Sequence, residues 1–112
     1  MKKYNIQNYI RYKNDVEKSI KRVPNKYWHE YTREELMIKF LPLVENIARK
    51  FSTSQQASGV MTIMDLIQSG SLGLIQAVRK LDYFKLGTSE DMEKTLKSFF
   101  SKRIKGSIRR QI

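Results

Sequence analysis

The C-terminal part of this chain combines basic and aromatic side chains and lacks acidic ones. Residues 94–112 hold seven Lys and Arg but no Asp or Glu, whereas the whole chain has 22 basic and 11 acidic residues and a net charge of +11. Dense cations attract the phosphates of a nucleic acid. The predicted phosphate contacts are Lys97, Lys102, Arg103, Lys105, Arg109 and Arg110, together with Arg49 and Lys50. A solvated basic tail is the simpler alternative.

A second group of residues suits contact with a protein partner. Asp65 and Gln68 are three residues apart and therefore share one face of a helix. Gly70 and Gly73 carry no side chain and would let a partner's backbone approach closely. The alternative is that the glycines only allow helices of this chain to pack tightly and that Asp65 only caps a helix.

Catalytic chemistry is not suggested by the sequence. Cysteine is absent and His29 is the one histidine, so we expect neither disulfides nor a thiolate or zinc site. No nucleophile with an adjacent base, phosphate-binding loop or pair of carboxylates stands out. We therefore expect a binding protein that is not an enzyme and that needs no metal or cofactor.

Apolar residues recur at helical spacing along the chain, which predicts an all-α fold. A first helix is predicted over residues 5–22, ending before Pro24. Its apolar stripe comprises Ile6, Tyr9, Ile10, Val16 and Ile20. A capping box formed by Thr32 and Glu35 starts the next helix, which should run to about Phe51 with a kink or break at Pro42.

The second half of the chain is predicted as a loop over residues 52–59 followed by further helices. Gly70 and Gly73 are poor helix formers, so two short helices should meet near Gly70. The second of these should end before Asp82 and carry Leu72 on its apolar face. After a polar link around residues 87–90, a last helix should follow, with Phe100 in the core; its apolar stripe comprises Met92, Leu96, Phe99, Phe100, Ile104 and Ile108.

The segment from Asp65 to Val78, DLIQSGSLGLIQAV, resembles the core-binding signature of bacterial sigma factors. Residues 41–51 are similar to the helix that precedes this signature in the family, and residues 99–108 are similar to its promoter-reading helix. The resemblance covers residues 36–112. It implies a compact helical bundle resembling sigma factor domain 2, which binds the clamp helices of the largest subunit of bacterial RNA polymerase.

The resemblance also implies roles for particular residues. Asp65, Gln68, Ser71 and Ile75 match the family's polymerase-facing positions, although most members have Asn where this chain has Ser71. The last helix would recognise and melt the minus-ten promoter element, with Phe99 stacking on a flipped base of the non-template strand. Phe99 could instead belong to the core.

Three departures from the housekeeping pattern bear on this interpretation. Lys102 and Arg103 stand where primary sigma factors carry a tryptophan pair, and Gly106 replaces a side chain that those factors use in duplex readout. The stretch from Asp82 to Leu96 is longer than usual. The sequence ends at Ile112, before the family's minus-thirty-five domain. Two explanations remain open: a small phage late sigma factor that recruits a separate co-activator, or a piece of a longer bacterial factor.

The predicted organisation is a basic helical extension over residues 1–31 and a sigma domain 2-like unit over residues 32–112. No apolar stretch approaches the roughly 18 residues that cross a bilayer, so we expect no membrane contact and a place in the bacterial cytoplasm, including that of a phage-infected cell. Two other functions remain open. The chain could be a sigma-mimicking regulator of polymerase or a free-standing basic nucleic-acid-binding protein.

Overall fold

Five α-helices and one short 3-10 helix make up most of the described part of the chain. The structure, a computed structural model, describes residues 3–53, 62–81 and 91–111, without the side chains of residues 3–6 and His29. The α-helices are α1 (Lys3–Arg22), α2 (Arg33–Lys39), α3 (Leu41–Ser52), α4 (Ile63–Arg79) and α5 (Met92–Gln111), and the 3-10 helix is Trp28–Glu30. These residues contain no β-strand, which confirms the all-α prediction. Most of the predicted loop 52–59 and the link before α5 lie outside the described residues.

The helix breaks in the first half of the chain follow the local sequence. The Thr32 hydroxyl accepts a hydrogen bond from the Glu35 amide, and the Glu35 carboxylate accepts one from the Thr32 amide, so the capping box forms. The predicted break is also confirmed. α2 ends at Lys39, and α3 starts at Leu41 with Pro42 in its first turn. Proline fits there because its missing N–H has no intrahelical partner at that position.

The predicted break near Gly70 is wrong, because α4 is one continuous helix of 17 residues. Gly70 and Gly73 are buried against α5, so packing compensates for their low helix propensity. Continuity also overturns the predicted position of Leu72. A helix turns by about 100° per residue, which places Leu72 about 200° around the axis from Gly70. Its side chain is accordingly 57% exposed.

The core forms around α4, which contacts α1, α2, α3 and α5. Phe100 of α5 is fully buried, as predicted, and its ring packs edge-on against Phe40 with 4.9 Å between centroids. The largest fully buried side chains are Phe100, Leu36, Leu66, Ile67, Leu74, Leu96, Ile104, Ile108, Val44 and Val78. None of the described helices is long and apolar enough to cross a membrane.

The side of α1 that packs on the bundle differs from the predicted stripe. Val16 is buried as expected, but Ile10 is 54% exposed. Tyr9, as predicted, and Tyr12, which was not in the stripe, pack against the core. Because Tyr9, Tyr12 and Val16 follow one another at steps of three and four residues, they share a face of α1 that Ile10 does not join.

Candidate functional site

The predicted polymerase-facing residues lie together on the side of α4 that faces away from the bundle. Asp65 and Gln68 are exposed, whereas Ser71 and Ile75 are half-buried. Leu72 lies among them and is the most exposed large apolar residue of α4. We call this set, Asp65, Gln68, Ser71, Leu72 and Ile75, the outer face of α4. Leu72 was missed from sequence because the expected helix break would have turned it inward.

Asp65 also has a structural task. Its Oδ2 atom accepts a hydrogen bond of 3.0 Å from the Thr62 amide, and the Thr62 hydroxyl accepts one of 3.1 Å from the Asp65 amide. These two bonds form a second capping box, at the start of α4. Asp65 therefore does cap a helix, and its exposed carboxylate still lies at one end of the outer face.

The two glycines of the same motif do not belong to the outer face. A Cβ atom on Gly73 would lie 2.6 Å from the Arg103 carbonyl oxygen and 2.7 Å from the Ser107 Cβ. Beside this crossing, the buried Ser107 hydroxyl donates a hydrogen bond of 2.6 Å to the Ser69 carbonyl. The glycines thus bring α4 against α5, and the idea that they admit a partner's backbone is wrong. The structure confirms the alternative, that the glycines allow helices of this chain to pack tightly.

The predicted cations of α5 are all exposed. At about 100° per residue, Lys102, Lys105 and Arg109 follow the side of the helix opposite the core, and Arg103 and Arg110 flank that side. Lys97 lies about 120° around the axis from Arg109, and its Nζ atom is 3.5 Å from Glu93 Oε1. We call Lys102, Arg103, Lys105, Arg109 and Arg110 the basic face of α5.

Phe99 lies at the edge of the basic face and is half-buried. Its ring centroid is 5.6 Å from that of Phe100, and the Arg103 guanidinium lies over it at 5.6 Å. The ring therefore contributes to packing while part of it remains accessible. This geometry leaves room for both functions that the sequence suggested, core packing and base stacking.

The C-terminal end of α3 adds two more predicted cations beside α5. The Arg109 guanidinium lies 5.8 Å from the ring centroid of Phe51, which places the end of α3 next to the C-terminal half of α5. Arg49 and Lys50 precede Phe51 and are both exposed. The two cations thus lie within one helical turn of the contact between Phe51 and α5, and Arg49 is directed towards Glu45.

Glu45 connects this region to α1. Its Oε1 atom accepts a hydrogen bond of 2.5 Å from the Tyr9 hydroxyl and lies 3.4 Å from Lys13 Nζ and 3.8 Å from Arg49 Nη1. Burial, followed by the hydrogen bond to Glu45, raises the pKa of Tyr9 to about 12. The Tyr9 phenol therefore stays protonated and can donate to Glu45 at neutral pH.

An open cleft of about 400 Å³ is a feature that sequence reasoning missed. Its lining includes Trp28 and Phe40 together with Lys39, Lys97 and Glu93, and Lys97 Nζ lies 3.5 Å from Glu93 Oε1. The Lys39 ammonium lies 5.6 Å from the Trp28 ring centroid. The sequence signal for this cleft is the group of aromatic residues at positions 27, 28 and 31.

Two surfaces of different chemistry are therefore held in a fixed relation by the α4–α5 crossing. The outer face of α4 is mixed polar and apolar, whereas α5 is basic and bordered by an aromatic ring. No protein-family model matches this chain, and neither a curated protein nor a solved structure matches it.

Proposed function

We propose that this chain is a sigma-type transcription initiation factor. It binds the core of bacterial RNA polymerase through the outer face of α4, and it recognises and melts a minus-ten promoter element through α5. The observation that carries the proposal is the position of the motif residues. All four residues that match polymerase contacts of the sigma family are exposed or half-buried on one side of α4, although the same motif also supplies eight buried residues.

The outer face of α4 has the composition of a small docking surface. Leu72 supplies an exposed apolar side chain, and Gln68, Asp65 and Ser71 surround it with hydrogen-bonding groups. An apolar centre with a polar rim is the usual organisation of a protein interface. The clamp helices of the polymerase's largest subunit are the proposed partner.

The basic face of α5 is the proposed contact for the non-template strand. Its cations would hold the phosphates of the strand, and Phe99 would stack on a base that has left the duplex. Lys102 and Arg103, which stand where primary sigma factors have a tryptophan pair, are exposed cations. In this chain, strand opening would therefore depend on capture of unpaired bases and phosphates rather than on an aromatic wedge.

In vitro transcription tests the proposal directly. The chain would be combined with bare core polymerase and AT-rich promoter templates, with and without candidate co-activators, and we expect initiation at defined sites. Tight, salt-dependent DNA binding with no effect on polymerase would identify a free-standing nucleic-acid-binding protein instead. Polymerase binding without initiation under all conditions would identify a sigma-mimicking regulator.

The docking surface has its own test in Leu72→Arg, with Ile10→Arg as the matched control. Both side chains are exposed apolar residues on helices, at 57% and 54%, so the same change should leave the fold intact in both. A residue at the centre of an interface contributes about 1.4 kcal/mol or more, so Leu72→Arg should weaken binding to core polymerase at least about tenfold. Ile10→Arg should bind like wild type. Equal affinity of the two variants in a pull-down titration would refute docking through α4.

A further inference from the structure

Gly106 lies in the interior of α5, and the packing of this chain does not require it. Gly70 and Gly73 each face atoms that a Cβ would meet at about 3 Å or less. At Gly106, by contrast, no atom of the described residues, apart from the two chain neighbours and the nearby backbone of α5, lies within 4 Å of the position that a Cβ would take. A glycine in a helix interior costs about 1 kcal/mol relative to alanine. The fold therefore carries this cost at Gly106 without a packing benefit.

The helical neighbours of Gly106 are all basic. Residues three and four positions away along a helix surround a given position, and here they are Lys102, Arg103, Arg109 and Arg110. All four are exposed, and among the described residues none forms an ion pair with an acidic side chain. Concentrated like charge destabilises a folded chain. A second destabilising feature thus coincides with the glycine.

Aromatic rings hold two of these cations on opposite flanks of Gly106. The Arg103 guanidinium lies over Phe99, and the Arg109 guanidinium lies beside Phe51. Counted at about 100° per residue, Gly106 lies between Arg103 and Arg109 around the helix axis. A position without a side chain thus lies among four exposed cations of the same helix.

We infer that Gly106 and its four basic neighbours form a binding site for one phosphate of a nucleic-acid backbone. The missing side chain lets the phosphate reach the helix surface, where all four cations can approach it. A methyl group at the centre would hold the phosphate away by about 1.5 Å, the length of a carbon–carbon bond. The inference rests on the proposed contact between α5 and DNA, and it identifies Gly106 as a positioning residue in that contact. Features that weaken a fold persist where function needs them.

The test compares Gly106→Ala with wild type in binding a labelled single-stranded DNA oligonucleotide by fluorescence anisotropy across a salt series. For single strands, the slope of log affinity against log salt is about 0.7 per phosphate contact, so Gly106→Ala should lower the slope by about 0.7. At about 0.1 M salt, this lost contact corresponds to about fivefold weaker binding. Thermal unfolding of the same protein should show that Gly106→Ala is at least as stable as wild type.

Asn14→Ala is the matched control, because it raises helix propensity at an exposed position of α1 without altering the basic face. It should bind DNA like wild type, and a loss equal to that of Gly106→Ala would overturn the inference. If wild type binds and Gly106→Ala matches it in affinity and slope, the phosphate site is refuted while DNA binding by α5 stands. If wild type itself binds no DNA, the DNA-binding half of the proposed function fails together with the site.

Discussion

Replacing Gly73 with alanine should destabilise the fold, because this residue sets the distance between α4 and α5. The added Cβ would lie 2.6 Å from the Arg103 carbonyl oxygen, whereas ordinary contacts of this kind begin at 3.4 Å. The two helices would have to separate by most of the difference, since a backbone atom in a helix cannot rotate away. Overpacking of this kind costs about 1 to 3 kcal/mol.

Two further contributions decide the net effect of Gly73→Ala. Separation of the helices would stretch the buried hydrogen bond from Ser107 to the Ser69 carbonyl, which is worth about 1 kcal/mol. Alanine stabilises a helix by about 1 kcal/mol relative to glycine, which roughly cancels the loss from the weakened hydrogen bond. The expected loss of unfolding free energy is therefore about 1 to 3 kcal/mol, and each kcal/mol lowers the Tm by about 4 °C in a domain of this size.

Urea unfolding followed by far-ultraviolet circular dichroism would measure this loss. Gly70→Ala is the comparison, because its Cβ would meet only side-chain methyl groups of Val44, Ile104 and Ile108, at 3.0 to 3.3 Å. Those groups can shift by a few tenths of an ångström, so the gain in helix propensity should leave Gly70→Ala near wild-type stability. A Gly73→Ala protein as stable as wild type would refute the close crossing of α4 and α5.

Two further predictions concern base stacking and acid stability. Phe99→Ala should reduce strand opening, read from a fluorescent base analogue in the minus-ten element, by about 1 to 3 kcal/mol, with a smaller effect on duplex association. Phe99→Tyr should retain the opening, and equal losses of opening and association in Phe99→Ala would assign the ring to packing alone. The Thr32 amide, followed by the Lys26 ammonium, lowers the pKa of Glu35 below its usual 4.5. A lowered carboxyl pKa stabilises the fold above the unfolded-state pKa, and this stabilisation is lost as pH falls through the lower folded-state pKa. Between neutral and acidic pH, Glu35→Gln should therefore lose less unfolding free energy than wild type does. The control Glu34→Gln should lose as much as wild type. Identical pH profiles for the two variants would contradict the stabilising role of the Glu35 carboxylate.

The sequence alone determined the features that depend on neighbours along the chain. Both capping boxes and the break at Pro42 arise from hydrogen bonds and steric limits within a few residues, so they could be read locally. The exposure of the predicted cations could also be predicted from the sequence, because burial of an unpaired charge costs free energy. The spacing of Asp65 and Gln68, three residues apart, likewise predicted that both share one side of α4, where both are exposed.

Only the tertiary structure decided how α4 and α5 fit together. Local propensity favours a break at Gly70, yet contact with α5, about 30 residues further along the chain, keeps α4 continuous. That continuity turns Leu72 outward, and the approach of α3 to α5 brings Phe51 beside Arg109. Helix propensity acts within a few residues and amounts to about 1 kcal/mol for a glycine, whereas packing between distant segments can outweigh it. Gly106 is the one glycine of the described helices whose presence the packing of the fold does not explain.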